Sequence, residues 1–187
     1  MCGRFTLRTP ASQVAQAFGL ADGFELQPRY NIAPSQQVPV VRLAQNDGRE
    51  LAFVKWGLIP SWADDPAIGY KMINARGETV ASKPRFRKAF KARRCLVVDD
   101  GCYEWQKTDG KKQPHLIRLK DDRPFAFAGL WEHWGQNTSD ENMSVLDQWE
   151  RPFPIFTDPP ERWRYKGEIQ GADETMEYPT NFGASVP

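Results

Sequence analysis

The sequence predicts an α+β domain built around a curved antiparallel sheet. Short runs rich in β-branched and aromatic residues recur, with Gly, Asp, Asn and Pro turn signals between them. Only two stretches read as helices, and 187 residues is the size of one domain with a real core.

Taken in order, residues 2–8 are expected to form a short strand. Thr9-Pro10 then opens an amphipathic helix through about Leu20, with Val14, Ala17 and Phe18 at helical spacing. The stretch from Arg29 to Ser35 reads as an irregular loop, followed by a strand near 37–44. Asn46-Asp47-Gly48 marks a hairpin turn before a strand near 50–58. Trp56-Gly57-Leu58-Ile59-Pro60-Ser61-Trp62 is aromatic and Pro-punctuated, so a loop carrying two indoles is expected. An Arg- and Lys-rich helix covers about 83–91. Strands follow near 94–99, 102–107, 114–119 and 125–131, with turns at Asp99-Asp100-Gly101 and Asp109-Gly110. Residues 1–134 thus form the expected domain. Residues 135–187 are acidic, Pro-rich and aperiodic, so loops with partial packing and disorder toward the end are expected there.

Composition narrows the function classes. No apolar run approaches the roughly 20 residues of a membrane span, and the N-terminus lacks a signal-peptide h-region. Three cysteines and two histidines at these spacings fit neither a disulfide framework nor a zinc site. A cytoplasmic protein without metal or other cofactor is therefore expected. The net charge of +1 hides a strong asymmetry. Residues 71–94 hold nine Lys/Arg against one acid, while residues 139–187 hold ten acids and four bases. A basic block within a folded region favours a polyanionic partner such as nucleic acid, although a solvated helix face has the same composition.

The chain opens Met1-Cys2-Gly3-Arg4-Phe5. Excision of the methionine would place an α-amine and a thiol on adjacent carbons of Cys2. Both groups titrate near neutrality, at roughly pH 8 and 8.5 in model peptides, so each is partly nucleophilic in the cell. The amine can condense with an aldehyde to an imine, and the thiol can close on the same carbon to give a thiazolidine. An internal cysteine cannot do this.

Several segments together resemble one family. They are Met-Cys-Gly-Arg-Phe at 1–5, Tyr-Asn-Ile-Ala-Pro-Ser at 30–35, Trp-Gly-Leu-Ile-Pro-Ser-Trp at 56–62 and Ile-Asn-Ala-Arg-Gly-Glu-Thr-Val at 73–80. Arg-Cys-Leu-Val-Val at 94–98, Gly-Cys-Tyr-Glu-Trp at 101–105 and Phe-Ala-Gly-Leu-Trp-Glu at 127–132 complete the set. Their order over residues 1–134 resembles the SOS-response-associated peptidase (SRAP) family of abasic-site sensors. The resemblance implies a barrel-like core of curved antiparallel sheets with a few flanking helices. It also implies that Cys2 condenses with the ring-opened aldehyde of an abasic nucleotide in single-stranded DNA, leaving a thiazolidine cross-link that shields the lesion during replication. A monomer suffices for this, associated with the nucleoid when bound to DNA.

Residue by residue, the resemblance places Asn74 beside the reacting sugar. Glu104, flanked by Tyr103 and Trp105, is expected to have a raised pKa and to act as acid and base. Arg4, Arg76, Arg85 and Arg87 match positions that contact phosphates, and Asn31 and Pro34 line the same cleft. Trp56, Trp62 and Trp105 are candidates to stack on bases or wedge the strand open, with core packing the alternative for each. Arg93 and Arg94 serve either as helix C-terminal charges or as phosphate contacts.

The family pattern ends with a further strand, a Thr-rich segment and a His-Asp-Arg-Met-Pro motif whose His assists sugar ring opening. Residues 135–187 contain no His. His115 and His133 do not match that position and receive no catalytic role. Loss of core-closing strands would lower stability, and loss of an acid–base group would slow cross-linking by roughly 10²–10⁴-fold. Two other classes remain open: a thiol peptidase that removes Met1 autocatalytically, and a non-catalytic single-stranded-DNA binder.

Overall fold

The computed structural model describes residues 3–44, 48–108, 110–135, 141–147 and 169–170. The elements are β1 (Phe5–Leu7), α1 (Ala11–Phe18), β2 (Arg29–Ile32), β3 (Gln37–Leu43), β4 (Arg49–Trp56), a 3-10 turn (Pro66–Lys71) and β5 (Asn74–Arg76). Next come α2 (Gly77–Val80), α3 (Pro84–Ala92), β6 (Arg94–Asp99), β7 (Gly101–Thr108), β8 (Lys111–Leu119), β9 (Phe125–His133), β10 (Glu141–Asp147) and β11 (Ile169–Gln170).

Strands β4, β3, β6, β9 and β10 pair in that order, and β10 pairs back onto β4, closing a five-stranded barrel. Strand alternation fills its interior with Val38, Val40, Val54, Trp56, Cys95, Val97, Met143 and Val145, all buried in one core cluster. At one end Arg42 donates to Glu50 at 2.6 Å and to Glu141 at 2.8 Å. Its guanidinium carbon also lies 4.2 Å from the centre of the Trp131 ring. At the other end, where β4 and β6 finish, a second sheet in the order β11-β8-β7-β1-β2 caps the barrel. Phe5 of β1 packs on Trp56 of β4 there, ring centroids 5.2 Å apart. Outside the barrel, Leu58, Met72, Val80, Phe86, Ala89 and Leu130 form a smaller core beneath α2 and α3.

The α+β class and the barrel-like core agree with the expectation. Three details do not. Arg29–Ile32, expected to be a loop, is the strand β2 on the edge of the capping sheet. Asp99-Asp100-Gly101 is no hairpin turn but the corner at which the chain leaves the barrel for the capping sheet. Gly101 permits it: a Cβ there would stand 3.0 Å from Leu116 Cδ1 and from Thr6 Oγ1. The third concerns the region after Trp134, where β10 supplies the strand that closes the barrel. Its sequence hides a period of two because both faces are buried. Met143 and Val145 enter the core, while Asn142 and Ser144 are buried on the other face, where Asn142 Oδ1 accepts from the Ile59 N–H. The expected disorder toward the C-terminus falls outside the described residues.

Candidate nucleic-acid interface

The site is assembled where the capping sheet meets the barrel. Thr6 of β1 sits opposite Gly101, and Phe5 opposite Cys102. The Tyr103 N–H donates to the Arg4 carbonyl at 2.8 Å, so the ladder runs along β7 toward Glu104 as β1 runs back toward Gly3. A Cβ built on Gly3 meets no atom within 4 Å, so this end of β1 faces open space. Cys2 itself lies outside the described residues.

Asp100 anchors the other end of β1. Its carboxylate accepts from Thr6 Oγ1 at 2.6 Å, Thr9 N at 2.8 Å and Thr9 Oγ1 at 2.9 Å, and also from the Arg8 N–H and guanidinium. Burial alone would raise its pKa, but these donors outweigh burial and hold it below the usual carboxylate value. Neighbouring Asp99 behaves in the opposite way. It is fully buried at the barrel end, and neither carboxyl oxygen has a hydrogen-bond partner among the described residues. Burial, reinforced by the charge of Asp100, pushes its pKa well up.

Along β7, alternation sets Cys102 and Glu104 on one face and Tyr103 and Trp105 on the other. Cys102 belongs to the core cluster at the barrel end, which makes the Glu104 face the barrel-facing one. Glu104 is half-buried. On the opposite face Arg4 Nη1 donates to Asn31 Oδ1 at 2.9 Å, joining two residues expected to line the DNA cleft. Tyr103 donates its hydroxyl to the Tyr30 carbonyl at 3.2 Å, and Tyr30 and Trp105 are 64% and 42% exposed. Pro34 is half-buried in the turn that follows β2.

Asn74 and Arg76 stand on β5, which pairs in parallel with the C-terminal half of β10. Because β10 runs in the same direction as β4 and β6, β5 lies at the capped end of the barrel. Asn74 is half-buried and Arg76 exposed. Trp56 requires a correction. It is 1% exposed, so it neither stacks on bases nor forms part of a loop. Its indole N–H donates at 2.9 Å to the carbonyl of Ile73, the residue before Asn74. A Trp at the end of a strand facing the barrel interior belongs to the core by the same alternation that buries Val54.

Trp62, by contrast, is 61% exposed. Its loop is held by the Trp134 indole N–H donating to the Ala63 carbonyl at 2.7 Å. Lys88 Nζ donates to Ser61 Oγ at 3.3 Å, tying that loop to α3. Helix α3 buries Phe86 and Ala89 and turns Arg85, Arg87, Lys88 and Lys91 to solvent. Arg93 is not among these exposed cations: it is half-buried and donates to the buried Glu132 at 2.6 Å. An exposed indole beside a row of cations suits the bases and phosphates of a single strand.

The two described cysteines are poor nucleophiles. Cys95 is fully buried, and burial raises its thiol pKa far above the ordinary value. Burial, with Asp99 and Glu104 nearby, pushes Cys102 up to about 12. Among the described residues no group of three or more His, Cys, Asp or Glu side chains could hold a metal ion, and no helix is long and apolar enough to cross a membrane.

Residues 1–161 match the family described as SOS response associated peptidase (SRAP). The chain belongs to the SRAP family. Among curated relatives it is similar to the abasic site processing protein YoaM of Bacillus subtilis, at 47% identity over 140 residues. That match covers 72% of this chain and 60% of the relative, so the chain spans about three fifths of the relative's length. It is also similar to the abasic site processing protein HMCES of Xenopus tropicalis, at 34% identity over 145 residues, covering 70% of this chain and 43% of that one. Among solved structures, a protein from Bacteroides thetaiotaomicron superposes with a TM-score of 0.68 at 26% identity, over 78% of this chain and 67% of that chain. The SRAP match runs past Trp134 and takes in β10, consistent with that strand's place in the barrel.

Two placements had no signal in the sequence. His115 stands directly opposite Glu104 in the β7–β8 ladder. Asp100 carries the network that fixes β1. Each depends on a partner on another strand.

Proposed function

We propose that this SRAP protein recognises abasic sites in single-stranded DNA and captures them covalently through Cys2 once Met1 is removed. The observation that carries the reading is the ladder that brings Gly3, the residue bonded to Cys2, toward the half-buried carboxyl of Glu104, together with the inertness of the two described thiols.

In this mechanism the Cys2 amine attacks the aldehyde carbon of the ring-opened sugar to give a carbinolamine. Glu104, protonated, donates to the carbinolamine hydroxyl, which leaves as water. The resulting iminium carbon accepts the thiol sulfur, and the thiol proton returns to the Glu104 carboxylate. Aldehyde and aminothiol thus become thiazolidine and one water, with the acid regenerated. Asn74 orients the sugar hydroxyl with a neutral amide that does not compete as a nucleophile. Arg4, Arg76, Arg85 and Arg87 hold phosphates, and Trp62 and Trp105 receive flanking bases. Asn31 contributes by fixing the Arg4 guanidinium, and Pro34 by shaping the cleft wall.

The test is a denaturing gel with single-stranded DNA carrying one abasic site. Wild-type protein lacking Met1 should give a shifted band that Cys2→Ala abolishes. A band of equal intensity in the variant would show that another nucleophile reacts.

A further inference from the structure

The geometry points to His115 as a proton relay to Glu104 during cross-link formation, an inference that rests on the reading of the site above. Glu104 and His115 are direct partners in the antiparallel β7–β8 ladder, so both side chains rise from the same face of the sheet. Such partners stand roughly 4.5–5.5 Å apart at Cβ, within reach of a carboxyl–imidazole hydrogen bond. The next pair along the ladder is Cys102 with Ile117, and both are buried in the core at the barrel end. The shared face is therefore the one turned toward the barrel end, where β5 presents Asn74.

The two positions differ in solvent contact, and that difference gives the pair a direction. Glu104 is half-buried, whereas His115 is exposed. Glu104 must hold a proton before the carbinolamine can lose water, and a half-buried carboxyl takes that proton from solvent more readily through an exposed imidazole beside it. Histidine suits this because one ring nitrogen can accept a proton while the other donates one. Among the described residues of β7 and β8 the other ionisable groups on this face are Cys102 and, toward the hairpin, Lys111, with Asp99 beyond Cys102 at the end of β6. The flanking β8 residues Gln113 and Ile117 carry no charge, so no neighbour on that strand substitutes for the imidazole.

The experiment follows the rate of cross-linking to saturating abasic single-stranded DNA from pH 5 to 9, for wild type, His115→Gln and His115→Ala. The relay predicts a rate loss of about 10- to 100-fold near pH 7 in both variants, below the full effect of an acid–base group. It also predicts a change in the shape of the pH–rate profile in both variants, and partial recovery of His115→Ala with added imidazole. DNA affinity and melting temperature should stay at the wild-type level, since His115 is exposed. A His115→Gln profile that superimposes on wild type, with cross-linking intact, overturns the relay alone. Absence of a cross-link in wild type and variants alike overturns the reading of the site, and the relay with it.

Discussion

Replacing Asp99 by leucine should stabilise the protein, and the gain should grow with pH. Leu has the same branched outline and number of side-chain heavy atoms, and it exchanges two carboxyl oxygens for methyl groups. Asp99 is fully buried, and neither oxygen finds a hydrogen-bond partner among the described residues. An unpartnered buried polar group costs about 1–3 kcal/mol by mutational measures, and that is the expected gain while the acid stays neutral. Linkage adds a second contribution. The folded pKa lies well above the unfolded one, so the unfolded chain releases its proton first as pH rises. Stability therefore falls with pH from about 4 up to the folded pKa, at a slope of about 1.4 kcal/mol per pH unit. Leucine removes both effects, whereas asparagine keeps a buried polar group and removes only the second. Urea unfolding at half-unit steps from pH 4.5 to 8 separates them. Relative to wild type, Asp99→Asn should gain stability steadily with pH, and Asp99→Leu should lie above it by a nearly constant amount. A loss of stability in Asp99→Leu at every pH, or parallel pH curves for wild type and Asp99→Asn, would refute the reasoning.

Other perturbations test the rest of the frame. Asp100→Asn should cost about 3–5 kcal/mol, because it breaks a buried charged network and leaves the Thr6, Arg8 and Thr9 donors poorly satisfied. The lowered pKa of Asp100 supports wild-type stability above about pH 4, and that support is lost as pH falls through the folded value. Acid unfolding curves of variant and wild type should therefore converge below that point. Trp56→Phe should slow cross-linking at saturating DNA more than it weakens binding, because the ring contact with Phe5 survives while the hydrogen bond to Ile73, next to Asn74, is lost. A change in Kd alone would contradict that placement. Trp62→Ala should leave the melting temperature near wild type yet weaken single-stranded DNA binding by about 1–3 kcal/mol, read by titration of a fluorescent oligonucleotide. Arg85→Ala with Arg87→Ala should lower the slope of log K against log salt by about 1.4 if each Arg holds one phosphate of a single strand.

The elements were legible in the sequence wherever one face meets core and the other meets water. Helix α3 announces itself through Phe86 and Ala89 among four cations. Two things obscured the rest. Where both faces of a strand are buried, alternation disappears: β10 carries Asn142 and Ser144 at positions that look solvent-facing, although neighbours in the fold cover them. Long-range pairing was the other obstacle. Nothing near His115 in sequence says that it will face Glu104, and nothing near Asp100 says that Thr6 and Thr9 will donate to it across more than 90 residues. Tryptophan motifs mislead for a related reason. Trp56 and Trp62 share one motif, yet the first ends a barrel strand and the second sits on a surface loop.

The route from barrel to site also explains why a buried, costly acid can persist at Asp99. The capping sheet meets the barrel through a shared core that includes Phe5 against Trp56, Cys102 and Ile117, and through the corner at Asp99-Asp100-Gly101. Asp100 accepts from Thr6, Arg8 and Thr9 at the end of β1, and this fixes the strand that leads to Cys2. Gly101 suits the next position, since a Cβ there would crowd Leu116 and Thr6 at 3.0 Å. Asp99 is left as the last residue of a barrel strand, facing inward, with the local donors already committed to its neighbour. Its cost is thus tied to the placement of the corner. Stabilising Asp99→Leu without disturbing the Asp100 network should leave cross-linking unchanged, whereas disturbing Asp100 should lower stability and reaction rate together.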